Sequence, residues 1–196
     1  MFRYLVLLLI FAGCQSGRNF VIKGHLPDAT TDGEWIFLVP LENASKERVD
    51  SVMIAKGAFQ FKGSAEVPEI FIIRTKPILR LTLQELLVVK EPGKLIVEIN
   101  KSSSVGGTPL NDSLQHWKEK KMMTDYLYED LWGQFKIAGE AEKAVIKQKA
   151  DSLNTRIVDF HFNFVRNNQD NVVGKFVNKI MGDSFSPEQK KSLHRK

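Results

Sequence analysis

At 196 residues the chain has room for one or two compact domains, and its 43% hydrophobic and 26% charged residues exclude disorder of the whole chain. The net charge of +5 has its excess at the closing KKSLHRK, while acids and bases alternate elsewhere, which argues against a nucleic-acid interface. The single cysteine excludes an internal disulfide, C-x-x-C redox chemistry and cysteine-based zinc sites.

The first element is MFRYLVLLLIFAGCQSG. Arg3 gives a short basic start, Tyr4 to Phe11 is an unbroken apolar run, and the small Ala12 and Gly13 precede Cys14, which is the order of a secretory signal. The run is well short of the roughly 20 residues that a membrane-spanning helix needs. Phe11-Ala12-Gly13-Cys14 resembles the bacterial lipobox, with Phe11 where an aliphatic residue is usual. The expectation is a signal peptide over 1–13, lipid attachment at Cys14 and a tether over 14–18. A signal peptide followed by a chance cysteine, or a buried first strand or helix, are the alternatives. Gln15-Ser16-Gly17 has neither an Asp directly after the cysteine nor an acidic cluster. A periplasm-facing anchor in the outer membrane is therefore expected.

From Asn19 to Lys101 the pattern is β. NFVIKGHL, EWIFLVPL, RVDSVMIA, AFQFKGSA, EIFIIRTK, a run within ILRLTLQELLVV, and KLIVEI are seven candidate strands, several of them alternating apolar and polar residues. Lys56-Gly57 predicts a tight hairpin and Glu91-Pro92-Gly93 a second turn. Strands this short and closely spaced predict an antiparallel sandwich or curved sheet. Leu79 to Val89 also fits a helical turn.

Composition changes at the polar break Lys101 to Ser104, and a helical region over 108–196 follows. Thr108 can cap a helix and Pro109 suits its first turn. Because no G-x-x-x-x-G-K is present, Gly106-Gly107 is read as a helix start and not as a phosphate loop. Two long helices are expected from Leu110 to Asn167. Leu110, Leu114, Trp117, Tyr128, Leu131 and Phe135 form one stripe, interrupted at Lys121 and Thr124. Ile146, Ala150, Leu153, Ile157, Phe160 and Phe164 form the other. With a bend at Gly139 they predict an antiparallel helical hairpin. A short helix over Val172 to Met181 and a last one starting at Ser186-Pro187-Glu188 complete an α+β fold.

These residues also carry a resemblance. Phe20-Val21-Ile22-Lys23-Gly24, Val49-Asp50-Ser51-Val52, Lys56 to Gly63, Val67-Pro68, Glu91-Pro92-Gly93 and Gly107-Thr108-Pro109-Leu110-Asn111 follow in an order that resembles the domain of unknown function 4369 family of Bacteroidota lipoproteins and secreted proteins. The resemblance spans Asn19 to Trp117 and continues more loosely to Lys191. In that family such a domain commonly precedes a thioredoxin-like domain of the peroxiredoxin or thiol-reductase type. This chain departs from the pattern near Ser186-Pro187-Glu188 and has no C-x-x-C. It reads as the accessory half standing alone, or as a truncated copy, and the redox activity does not carry over.

No catalytic constellation emerges. His25, His116, His161 and His194 have no ligand spacing. His161 is placed at the edge of the packed stripe and His116 on the solvent side. Asp50 and Ser51 point to opposite faces of a strand, and no nucleophile elbow surrounds Ser51. Glu129-Asp130 and Glu140/Glu142 read as solvated helix faces. Neither cofactor nor metal is expected. Tyr126, Tyr128 and Trp132 cluster on the first helix with Met122 and Met123 nearby; packing against the sheet is the favoured use of such a cluster, and an exposed partner patch of Met122, Tyr126 and Trp132 is the alternative. The functional expectation is an envelope-anchored, non-catalytic interaction module, held to the membrane through Cys14 and serving an envelope protein such as a thioredoxin-like partner. The alternative is a small-ligand carrier or enzyme with a site between sheet and helices.

Overall fold

The computed structural model describes residues 18–74, 86–100 and 102–193. Cys14 and the first part of the 78–89 stretch lie outside the described residues. Among the described residues eight strands precede four α-helices. In chain order the strands are β1 Asn19–His25, β2 Trp35–Pro40, β3 Asp50–Met53, β4 Ala58–Ser64, β5 Glu69–Arg74, β6 Leu87–Lys90, β7 Gly93–Glu98 and β8 Ser104–Gly106. They form two four-stranded sheets, a first of order β4-β1-β7-β8 and a second of order β3-β2-β5-β6.

The alternation in β1 does what period-two patterning dictates. Phe20, Ile22 and Gly24 are buried, while Asn19, Lys23 and His25 are exposed. The apolar run Ile70-Phe71-Ile72-Ile73 has no alternation because β5 is covered on both faces. Its odd-numbered residues join the core between the sheets and its even-numbered ones face the helices. Ile22, Ile36, Phe61, Ile73 and Leu95 are fully enclosed in the inter-sheet core. Each contributes about 1.5–3 kcal/mol by leaving water.

One expectation needs correction. The sheets are not wholly antiparallel, because β1 pairs with β7 in parallel, Phe20 opposite Gly93 through His25 opposite Glu98. Strands more than 70 positions apart are brought side by side by sheet closure, which no local pattern encodes. Among the described residues there are eight strands where about seven are expected, and the one without a candidate run, β8, falls in the stretch read as a polar break and helix start. It has three residues and one buried side chain, Val105, so it lacks a detectable period. The strand-bearing part therefore runs on to Gly106.

The two expected turns connect the sheets. At Lys56-Gly57 both residues have positive φ, 55° and 64°, as in a type I′ hairpin turn. The carboxylate of Asp32 accepts both of their backbone N–H groups at 2.7 and 2.8 Å. Glu91-Pro92 leads from β6 in the second sheet to β7 in the first.

The helices are α1 Pro109–Ile137, α2 Glu140–Asn168, α3 Val172–Met181 and α4 Pro187–Leu193. Gly139 is the bend between α1 and α2, and its N–H donates to Glu142. Asn171 caps α3 by accepting from the backbone N–H groups of Val173 and Gly174. Ser186 and Gln189 form a reciprocal capping box at α4. Helices α1, α2 and α3 pack on the open face of β5 and β6 through Leu114, Trp117, Phe164, Val165, Val173 and Val177. The layers are thus first sheet, second sheet, helices.

Gly174 sets the closeness of α3 to the end of α2. A Cβ there would sit 2.0 Å from the backbone oxygen of Asn168. Gly174→Ala is expected to destabilise the fold by about 3 kcal/mol, because backbone and not a mobile side chain must move. Urea denaturation of the variant checks this.

Candidate functional site

The junction between sheets and helices is built from buried polar groups. Asn111, in the first turn of α1, is fully buried. Its Oδ1 accepts the Val89 N–H at 2.8 Å and its Nδ2 donates to the Val89 carbonyl at 2.8 Å. The side-chain amide thereby takes the place of a neighbouring strand along β6, an edge of the second sheet. One helical turn later Gln115 accepts the Val105 N–H, on the β8 edge of the first sheet. Residues four apart on one helix face so close the edges of both sheets.

Thr108 occupies the N-cap position but does not cap with its own side chain, which corrects the expectation. The cap is Glu91, whose Oε1 accepts from the Thr108 hydroxyl at 2.6 Å and from the Leu110 N–H at 2.9 Å. A carboxylate from the turn before β7 thus satisfies the free N–H groups and complements the helix dipole.

His161 lies inside the core, 1% exposed, and not at the stripe's edge. The indole N–H of Trp117, which can only donate, points at His161 Nδ1 at 3.1 Å, so the imidazole proton sits on Nε2. Burial, aided by the charge of Lys121 and opposed by Asp125, pushes the imidazole down to about 4. The unfolded chain therefore takes up this proton near pH 6.5 and the folded chain only near 4. Stability is full above pH 6.5 and falls by up to about 3 kcal/mol as pH drops toward 4. His161→Asn should flatten that part of the dependence, read from urea midpoints at pH 7 and at pH 4.5.

His116 is exposed, as expected, and meets Phe160 edge-on. The carboxylate of Asp50 accepts the Ser51 N–H at 2.8 Å, a local backbone bond. Glu140 pairs with Lys143 and Asp130 accepts from Gln134. Among the described residues no three His, Cys, Asp or Glu side chains gather to hold a metal ion, and no helix is long and apolar enough to cross a membrane.

Two surfaces remain. The centre of the sheet–helix interface is closed by Leu114 and Trp117, both fully buried. At its edge a groove of about 650 Å³ opens between the chain following β2 and helix α3. Leu41, Ile70, Val172, Phe176 and Ile180 give it an apolar lining. Two ion pairs border it, Arg48–Glu69 at 2.7 Å and Lys179–Glu42 at 2.6 Å. The bond from Lys179 holds the Glu42 carboxyl below the usual carboxylate range. The sequence offers a site between sheet and helices only as an alternative and names none of these residues, because the two walls are about 130 positions apart.

The second surface is the helical arm. No hydrophobic residue beyond Trp117 on α1, or before Val158 on α2, belongs to the core built on the second sheet. Each helix has 29 residues and is about 43 Å long, and the part of α1 beyond Trp117 makes an arm of about 30 Å. Within it Thr124, Ile146 and Leu153 are buried. Tyr126 is 72% and Trp132 60% exposed, while Met122 is half-buried. Met122 and Tyr126 share a face, four residues apart. Trp132 lies on the other side of Met122, about 80° from it and about 120° from Tyr126, and stacks on Phe135 at 5.4 Å. The three expected patch residues therefore form two surfaces and not one.

No curated protein and no solved structure matches the chain. Residues 20–114, which comprise both sheets and the first turn of α1, match the model of the family described as Domain of unknown function (DUF4369), and this match supports a domain of that family over this stretch.

Proposed function

We propose that this chain is a lipoprotein of the cell envelope, anchored through Cys14 to the outer membrane and facing the periplasm, that acts as a non-catalytic interaction module. The organism class fitting the lipobox-like stretch and the domain family is Bacteroidota, and the partner class is an envelope protein such as a thioredoxin-like thiol protein. The carrying observation is the arm: Tyr126 and Trp132 are held out on helices whose distal halves contribute nothing to the sheet-backed core. Rigid aromatics with one polar edge are the side chains that most often anchor protein interfaces.

The test is photo-crosslinking from position 126 or 132 in cells, with position 149 on α2 as the control site. Lipid attachment is read in parallel from the intact mass. One envelope protein captured from 126 or 132 but not from 149 supports the reading. Equal capture from all three positions overturns it. A second reading rests on the groove beside α3, whose volume suits a small apolar ligand. A ligand that raises the melting temperature of the wild-type chain but not of Phe176→Arg would favour it.

A further inference from the structure

The outer face of the first sheet faces away from every other layer. Strand register fixes what stands on it. Val21 of β1 lies opposite Lys62 of β4 and Lys94 of β7. In the next outward row Lys23 lies opposite Gln60 and Ile96. Lys23, Lys62 and Lys94 are all exposed, and none forms an ion pair with a described residue. The nearby acids are already engaged, Glu98 by His25 at 2.9 Å and Glu66 by Arg18. Neighbouring strands are about 4.8 Å apart and alternate residues about 7 Å apart. The three lysines are therefore a cluster about 10 Å across.

The cluster lies at the end of β1 where the chain enters the fold. Lys62 and Lys94 are only about 8 Å from Asn19 by the same spacings. Between Cys14 and Asn19 the backbone reaches at most about 17 Å. We propose that this lysine face rests on the anionic headgroups of the bilayer that holds Cys14, which sets the protein's orientation on the membrane. The proposal rests on the anchoring reading above, and it commits to a lipid surface as the occupant. A short tether brings the face to the bilayer, and its uncompensated positive charge turns it inward. The aromatic arm and the groove are on other layers and stay open to the periplasm. Each lysine close to an anionic surface favours the docked orientation about fivefold, so the three together favour it about a hundredfold.

The experiment uses the full chain purified from cells that process it, with its mass measured. The protein is placed in vesicles of phosphatidylcholine alone or with one third phosphatidylglycerol. Amine acetylation is then quantified lysine by lysine. On anionic vesicles Lys23, Lys62 and Lys94 should be modified at least fivefold more slowly than Lys46 and Lys149. High salt should remove the difference, and Lys23→Gln should weaken the protection of Lys62 and Lys94. Equal modification on both vesicle types, or equal protection on neutral ones, overturns the proposal. An intact mass without acyl chains defeats the anchoring reading instead. In that event the same assay on the soluble chain with added anionic vesicles decides the lysine face: protection upholds it and full reactivity overturns it. Protection in cells that is absent on vesicles would assign the face to a protein and would also overturn it.

Discussion

Asn111→Ala should destabilise the protein by about 3–4 kcal/mol, an effect out of proportion to the few atoms removed. The amide bonds the N–H and carbonyl of Val89, and donates to Thr108 Oγ1 at 2.9 Å and Glu91 Oε1 at 3.2 Å. All of this happens at a fully buried position. Truncation leaves both backbone groups of an edge strand without a partner, at about 1–3 kcal/mol for each unsatisfied group, partly offset by relaxation and water entry. It also removes a donor from the buried Glu91 carboxylate, which still has to cap α1. For a fold of this size the expected loss in Tm is about 10 °C. Asn111→Asp separates the two roles: the acceptor for Val89 stays, while the donor is replaced by a charge facing Glu91. At neutral pH it should be at least as damaging as alanine, and part of the loss should return on acidification as the new carboxyl takes up a proton. Thermal melts of the three proteins at pH 7 and pH 5 make the comparison. An alanine variant within 1 kcal/mol of wild type would show that the clamp is not holding the helix to the sheets.

Trp117→Ala is expected to cost about 3–5 kcal/mol. The indole is fully buried, meets Phe176 edge-on at 6.0 Å, and donates to His161. Its removal leaves a large cavity where α1, α2 and α3 converge on β5 and β6, and strands an imidazole nitrogen. Trp117→Phe keeps most of the packing and loses only the donor, so about 1–2 kcal/mol is expected. The ratio of the two losses, from urea denaturation, tells packing from hydrogen bonding. The arm should remain helical in both variants, since its own packing lies beyond this residue. A far-UV signal largely retained at urea concentrations that have already removed the Trp117-dependent core would show the arm as a separately melting unit.

The residues explain which features could be read in advance. The strands β1, β2 and β4 alternate, so their faces were legible from spacing alone. The four helices were bounded by local chemistry: Gly139 at the bend, Asn171 before α3, Ser186 and Gln189 around α4. The burial of His161 had a signal in the sequence, because Leu153, Ile157, His161 and Val165 step by four along one ridge of α2, and its last two members, His161 and Val165, are the ones enclosed against the sheet-backed core. The two-part arm surface was hidden for a similar reason. Met122, Tyr126 and Trp132 are close in sequence, but six residues on a helix turn a side chain well away from its neighbour.

The α+β order, most of the strands, the helical hairpin and both inter-sheet turns are written locally in the chain, because they depend on periods of 2 and 3.6 and on turn and cap residues within a few positions. Only the tertiary structure decided the parallel β1–β7 pairing, the strand β8, the Glu91–Asn111 clamp, the groove beside α3 and the gathering of Lys23, Lys62 and Lys94 on one face. β8 is too short to show a period, and each of the others joins groups about 20 to 140 positions apart, their meeting set by how two sheets and three helices share buried area, which leaves no period in the chain to read.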